Sequence, residues 1–592
     1  MEFDKKTILA FLLIGLILIV LNTDFYQKNF LPKPPQKSTE SSEHPKELQK
    51  ESVVPQTKKA EATPSPAIQE LEPAESSKLF TEFTGEGDEI IVETNRYRAK
   101  FSTKGATLIS WEFKKYKLVQ GPNVQIIGND GQGNLALLLP IENDTLDTSH
   151  LLFNVNKREV LLSEKHPSAN LEFILDLKNN QKIKKTFTFY QDRYDVTMKI
   201  ELLNMGNLVD GFSYFLSWKS GLQSTEPDFK LDMSSAKAYA YQGDAEVFNV
   251  DDDFDASEWD NPTDWVAIRT KYFMVAAIPK DVKAQGVKFT GTKVEIGKKE
   301  PWKKYGFYLQ LPFEGQKKKV DTFTVYTGPI DYDILKSYNV NLEKMMDLGW
   351  VIFRPFAKFI LWSFVALHKI IPNYGVVIII FSILIKVLLY PLTKKSYQSM
   401  KEMQSLQPLM TEINEKYKND PQKKQQEIMK LYKEHGVNPL GGCIPMVLQM
   451  PLLIALFNVF RSTIELRQAE FIWWITDLSR PDTIATLPKA IPLYGDTVNI
   501  LPIFMGVTMF IQQKLTMKDP KQKAMIYFMP IFFTLLFNSF PSGLNLYYAL
   551  FNLFSIFQEK LIPHKPKPQA EVKKPQSRKR RIKHDYKRRY YN

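Results

Sequence analysis

Cysteine is nearly absent from this chain of 592 residues, with Cys443 as the single example. One thiol excludes an internal disulfide framework and any cysteine-based zinc site. Histidine is also scarce. The seven copies are scattered, so no metal-ligand spacing is visible. A phosphate-binding loop is missing too: Gly286-Val287-Lys288-Phe289-Thr290-Gly291-Thr292-Lys293 has its lysine and threonine in the wrong order, and no helical pattern follows. The acidic run Asp251-Asp252-Asp253 reads as a solvated turn rather than a cation site. These absences argue against an enzyme, and no catalytic residue, metal or cofactor is expected.

What is present is charge and hydrocarbon, both unevenly spread. The net charge is +13 with 44% hydrophobic residues, and a mean hydropathy of −0.26 describes a basic soluble protein only as an average. Residues 564–592 hold twelve Lys/Arg against two acids, residues 392–437 nine against six, and residues 514–523 four against one. These surpluses exceed the total, so the remainder is slightly acidic. Between the basic stretches lie apolar runs. Residues 8–21 are unbroken hydrocarbon behind Lys5 and Lys6, and no small-residue cleavage site follows, which favours an uncleaved anchor over a signal peptide. Five more candidate spans lie in the last 250 residues. By the positive-inside rule the basic segments, and with them both termini, face the cytoplasm.

The expected organisation runs in order: a cytoplasmic start (1–6), a transmembrane anchor (7–25), a disordered linker (26–79) and an external β-sandwich (80–335). Then come an interfacial amphipathic helix (345–371), a second span (374–392), a cytoplasmic helical hairpin (393–437) and a third span (438–460). An external loop (461–497), a fourth span (498–514), a short cytoplasmic loop (515–523), a fifth span (524–540), a sixth (541–562) and a basic tail (563–592) complete it. The linker is rich in Pro, Lys, Glu and Ser. The β assignment rests on period-two alternation, as in Val196-Thr197-Met198-Lys199-Ile200-Glu201-Leu202. The fold class is thus a multidomain membrane protein, an all-β external domain with an α-helical bundle of five core transmembrane helices behind an N-terminal anchor.

Lys386 is the most informative residue. It interrupts an apolar run about 12 Å of helix before Lys394, and an ammonium at that depth usually faces a wet or polar cavity. Snorkelling is the alternative, but the stem covers only part of the distance. Ser382 lies one turn earlier on the same face. In the last span Asn545, Tyr548, Asn552 and Ser555 draw a polar stripe, repeated more faintly by Thr508 with Gln512 and by Thr534 with Asn538. Taken singly such residues hydrogen-bond helix to helix. Together with a buried cation they favour a polar groove. Gln449 in the third span is a further candidate. The methionines of the cytoplasmic hairpin either meet apolar partners or zip its two helices together. The tail mixes tyrosines with Arg578, Lys579, Arg580, Arg581, Lys587, Arg588 and Arg589, a composition suited to RNA or to anionic lipid heads.

Several motifs then bring a family into view. Tyr390-Pro391-Leu392-Thr393-Lys394, Asn438-Pro439-Leu440-Gly441-Gly442-Cys443, Gln449-Met450-Pro451, Glu465-Leu466-Arg467-Gln468-Ala469 and Phe540-Pro541-Ser542-Gly543-Leu544 with Leu546-Tyr547-Tyr548 resemble the YidC family of membrane-protein insertases. The match is dense from about residue 335 to 562 and weaker over 80–330. The resemblance implies the Gram-negative type, with a supersandwich in the periplasm and an inner-membrane location. It implies an insertase and chaperone for nascent membrane proteins, working alone or with the Sec translocon, and a ribosome-docking tail. It implies a hydrophilic groove in which Lys386 takes the place of a basic residue, often arginine, Ser382 that of a threonine one turn earlier, Met450 and Pro451 that of a substrate-contacting pair, and Tyr547 and Tyr548 that of tyrosines in the last span. A small-anion transporter and an envelope scaffold acting through the β-domain are the rival readings.

Overall fold

The computed structural model describes residues 82–561 apart from 120, 129–132, 143, 296–300, 438–443, 493 and 517–522. The expected anchor at 7–25, the linker at 26–79 and the basic tail lie outside the described residues. The described residues divide into two compact units, one holding 82–347 with 462–465 and the other 348–461 with 466–561.

The first unit is a β-sandwich built from three sheets of nine, six and five strands. Alternation dictates it. Lys182–Tyr190 buries every second residue, and pairs antiparallel with Asp195–Leu203 so that Phe187 faces Met198. Because the side-chain period of a strand is two, one whole face goes inward. That face meets the five-stranded sheet through aromatic rings: Phe101 sits 4.8 Å from Phe187 and 5.6 Å from Phe189, and Phe113 stacks on Phe273 at 4.9 Å. Towards the six-stranded sheet, the Tyr214 hydroxyl donates to Asp321 Oδ2 at 2.7 Å and Phe248 stacks on Phe289 at 5.4 Å.

One residue breaks the apolar alternation. Lys185 occupies an inward position and is fully buried. Its Nζ donates to the Gly105 and Leu135 carbonyls at 2.7 and 2.8 Å. Burial pushes the ammonium down to about 7, with the negative charge of Asp147 opposing.

The second unit is helical. Its elements are α1 (Arg354–His368), α2 (Tyr374–Ser405), α3 (Gln407–Lys416), α4 (Pro421–Glu434), α5 (Ile444–Ser462), α6 (Ile500–Thr516), α7 (Lys523–Phe537) and α8 (Ser542–Leu561). Among the described residues α2 is the one helix long and apolar enough to cross a membrane, while Ile500–Thr516 and Ile526–Phe537 are shorter apolar helices. Asn373 caps α2, its side-chain oxygen accepting from the Val376 N–H. The helix runs on past 392, the expected end of the span, through Pro391 to Ser405. A proline removes one N–H from the ladder but does not force a stop in a helix whose flanks are held. The α3–α4 hairpin closes on a cluster of Leu406, Met410, Ile428, Leu431 and Val437, against which Met403, Ile413 and Tyr432 pack. Met410 is therefore spent inside the hairpin, while Met429 is about half exposed. On α1, Ile360 and Phe364 are buried while Phe356, Phe359 and Trp362 are exposed, so apolar residues cover both faces.

A difference from the sequence expectation lies in the loop expected at 461–497. Thr483–Ile491 and Gly495–Asn499 form an antiparallel hairpin where no strand is expected from the sequence.

Candidate functional site

Lys386 and Ser555 are separated by 169 residues and meet in the helical unit. Lys386 Nζ donates to Ser555 Oγ at 2.6 Å, and the same nitrogen lies 4.2 Å from the centroid of the Phe551 ring. Lys386 is 8% exposed and Ser555 fully buried. Ser555 Oγ in turn donates to the Phe551 carbonyl one turn back, at 2.8 Å. Its proton is thus committed along its own helix, which leaves a lone pair for the ammonium. The Lys386 amine thus has one hydroxyl acceptor and one ring face as its partners.

Further polar bridges join α2 to α8 toward the basic side. Gln558 Nε2 donates to Thr393 Oγ1 at 2.8 Å, and Lys401 Nζ to the Glu559 carbonyl at 2.9 Å. Thr393 Oγ1 itself donates to the Leu389 carbonyl at 3.0 Å. Tyr397 is buried on the same side of α2. The result is a polar seam between helices otherwise made of hydrocarbon.

The other expected groove residues divide. Ser382 is fully buried and donates to the Ile378 carbonyl of its own helix at 2.7 Å. Asn552 Nδ2 reaches the Met505 carbonyl and Thr508 Oγ1, each at 3.5 Å, and so ties α8 to α6. Asn545 Nδ2 donates to the carbonyls of Phe537 and Phe540 and closes the end of α7. Tyr547 and Tyr548 are both buried, Tyr547 beside Phe381 at 6.4 Å and Tyr548 beside Phe537 at 5.5 Å. Gln449, Met450 and Pro451 are half-buried on α5. The seven basic tail residues from Arg578 to Arg589 lie outside the described residues.

Phe551, Thr393 and Gln558 were not anticipated. A signal existed for two of them: Phe551 lies four residues before Ser555 and Gln558 three after, both on the stripe's own face.

Two family models cover most of the chain, 60Kd inner membrane protein over residues 366–569 and YidC periplasmic domain over residues 89–363. The membrane protein insertase YidC of Chlorobaculum parvum is 38% identical over 574 residues, 94% of each chain. That of Chlorobium phaeovibrioides is 40% identical over 506 residues, 82% of this chain and 86% of the other. Among solved structures, a crystal structure of an active YidC insertase with its first transmembrane domain resolved is 19% identical. It covers 81% of this chain and 95% of that one at a TM-score of 0.35.

Proposed function

Since the chain belongs to the YidC family of membrane-protein insertases, non-enzymatic proteins of the inner membrane with a periplasmic domain, we propose that its insertase function works through the polar seam around Lys386. Its substrates are nascent membrane proteins. In this reading the seam receives the polar end of a substrate segment and shortens the hydrocarbon that end must cross. The Lys386 ammonium attracts acidic substrate residues, and the apolar segment leaves sideways into lipid past α5 and α7. Met450 and Pro451 on α5, with Tyr547 and Tyr548 on α8, guide that exit. Hydrophobic partitioning, aided by the membrane potential, supplies the driving force. Cooperation with the Sec translocon, a chaperone role during folding, ribosome docking by the tail and cytoplasmic termini belong to the same proposal.

The observation that carries it is the buried Lys386 amine, held by a hydroxyl and a ring face and by no carboxylate among its described contacts. An intramembrane cation supported this lightly is poised to exchange its partner for a stronger one. The test is insertion of a single-span substrate with an acidic tail into vesicles carrying the purified protein. Lys386→Ala is expected to lower insertion of that substrate and to spare one with an uncharged tail, while Lys386→Arg retains activity. Equal rates for Lys386→Ala and the parent on the acidic substrate would sink the electrostatic part.

A further inference from the structure

The loop joining α5 to α6 holds its largest apolar side chains outward. Trp473 is 83% exposed, and its backbone has a φ of +50°, a left-handed conformation that L-residues with bulky side chains rarely adopt. Such an outlier persists only where the surroundings impose it, and it marks a position held for use. Here the surroundings are identifiable. The neighbouring Trp474 ring packs alongside at 5.7 Å, and Trp474 Nε1 donates to Asp482 Oδ2 at 3.1 Å. The same oxygen accepts from the backbone N–H groups of Ile500 and Leu501 at the start of α6, at 3.1 and 2.9 Å. One carboxylate therefore bolts the tryptophan tip to the first turn of α6.

The hairpin that begins right after Asp482 is exposed as well. Ile484 and Ile491 are each about half exposed, and between Thr483 and Asn499 the only charged residues are Lys489 and Asp496. A two-stranded hairpin is marginal in water without an apolar face to bury. Its turn and its foot are nevertheless held: Asn538 Nδ2 donates to the carbonyls of Tyr494 in the turn and Thr497 in the second strand at 2.9 and 2.7 Å, and at the foot Asn499 Nδ2 donates to Asn538 Oδ1 at 3.0 Å. From this foot α6 continues with Ile503, Phe504 and Val507 exposed, the surface a membrane helix turns to lipid. The exposed tip and hairpin are thus continuous with a lipid-facing surface, and tryptophan is the residue most at home at the headgroup boundary.

We propose that Trp473, Ile484 and Ile491 form a membrane-interface anchor of this loop, seated at the boundary between headgroups and acyl chains of the outer leaflet. It holds the outer ends of α5 and α6 at a fixed depth, and does so independently of α1. Lys489 has a stem long enough to keep its ammonium among the headgroups while the hairpin lies flat.

Because Cys443 is the only thiol, Cys443→Ser gives a background in which single cysteines report position. Trp473→Cys, Ile484→Cys and Ile491→Cys, with Asp496→Cys as the aqueous control, are labelled with a nitroxide in the full chain, in phosphatidylethanolamine–phosphatidylglycerol vesicles. Collisions with oxygen and with a water-soluble nickel chelate are then compared. The anchor predicts that oxygen dominates several-fold at the first three sites and the nickel chelate at the fourth. Dominance of the nickel chelate at Trp473 and both isoleucines overturns it, and so does poor access for both reagents, which would put protein there instead. A second readout needs no thiol: lipids brominated high on the acyl chain should quench the parent's tryptophan fluorescence more than that of Trp473→Phe. Identical quenching overturns the proposal too. Insertion measured on the same vesicles separates loss of the anchor from failure of the Lys386 seam.

Discussion

A carboxylate built into the seam should do to Lys386 what an acidic substrate is proposed to do, permanently. Ser555 Oγ lies 2.6 Å from Lys386 Nζ, so Ser555→Asp places an acid within direct reach of the ammonium. Two unit charges about 3 Å apart at an effective dielectric of about 20 attract by roughly 5–6 kcal/mol before desolvation is counted. Breaking a formed buried pair costs about 3–5 kcal/mol. A substrate carboxylate must break that pair to reach Lys386. Even 3 kcal/mol corresponds to roughly a hundredfold loss of occupancy, at about 1.4 kcal/mol per decade. The assay is the initial rate of insertion into proteoliposomes for two single-span substrates differing only in an acidic or neutral tail. Ser555→Asp should slow the acidic substrate at least tenfold and leave the neutral one within about twofold. Ser555→Ala should change both only modestly, because the hydroxyl alone is easily displaced. In the Lys386→Ala background the Ser555→Asp change should add little, since residues acting on one charge are not additive. Normal insertion of the acidic substrate by Ser555→Asp, with the protein folded by protease mapping, would refute the reasoning, and so would equal losses on both substrates.

Lys185 gives a pH dependence whose sign is fixed by its burial. The unfolded chain keeps the lysine proton up to about 10.5, whereas the folded ammonium releases it near 7. Between those values the unfolded state binds more protons, so stability of the β-sandwich rises with pH, by roughly 1.4 kcal/mol per unit at most, and is flat below the window. Hydrogen exchange of the strand Lys182–Tyr190 between pH 7 and 9, corrected for intrinsic rates, should show that rise in the parent and lose it in Lys185→Met. A parent slope that is flat or negative contradicts the assignment. The same substitution should also weaken the domain at pH 7 if leaving the Gly105 and Leu135 carbonyls unpaired, at about 1–3 kcal/mol each, outweighs relief of the buried charge. At Asp482, Ala removes the acceptor for three donors and should destabilise the start of α6 by about 1–3 kcal/mol. Asn keeps one acceptor oxygen and recovers much of that. Exchange rates at the amides of Ile500 and Leu501 decide between these outcomes.

Strands were readable wherever one face is buried and the other wet, because a period of two then writes the fold into the residue order. Asp195–Leu203 is such a case. The strand carrying Lys185 was equally regular in position but not in chemistry. A lysine among Ile183, Phe187 and Phe189 reads as outward-facing until Gly105 and Leu135 are seen to offer carbonyls from residues 80 and 50 positions away. The hairpin from Thr483 to Asn499 was hidden for a different reason. Pro488 and Pro492 interrupt any ladder pattern, its register slips twice, and nearly all side chains of its first strand are exposed, so no buried face imposes alternation there.

The polar stripe of the last helix shows where sequence reasoning stops in principle. Asn545, Asn552 and Ser555 look alike on a helical wheel, yet the first two are spent on backbone carbonyls of α6, α7 and the turn that follows α7. An amide carries two donors and can find a carbonyl almost anywhere a neighbouring helix exposes one, so its partner is set by local packing that no periodicity records. A buried ammonium is more selective. It has no use for a donor, and it needs an acceptor whose own proton points elsewhere. Ser555 meets that condition because its hydroxyl is turned onto the Phe551 carbonyl, and the same geometry brings the Phe551 ring beneath the charge. One backbone bond on α8 therefore prepares both parts of the cation's cradle. That dependence makes a distinct forecast for Phe551→Leu: the hydroxyl bond to the backbone survives, the ring face is lost, and the ammonium is weakened by about 0.5–2 kcal/mol. Acidic-tail insertion should then fall only a few-fold, between the parent and Lys386→Ala. A loss as complete as that of Lys386→Ala would mean that Phe551 acts by filling space rather than by facing the charge.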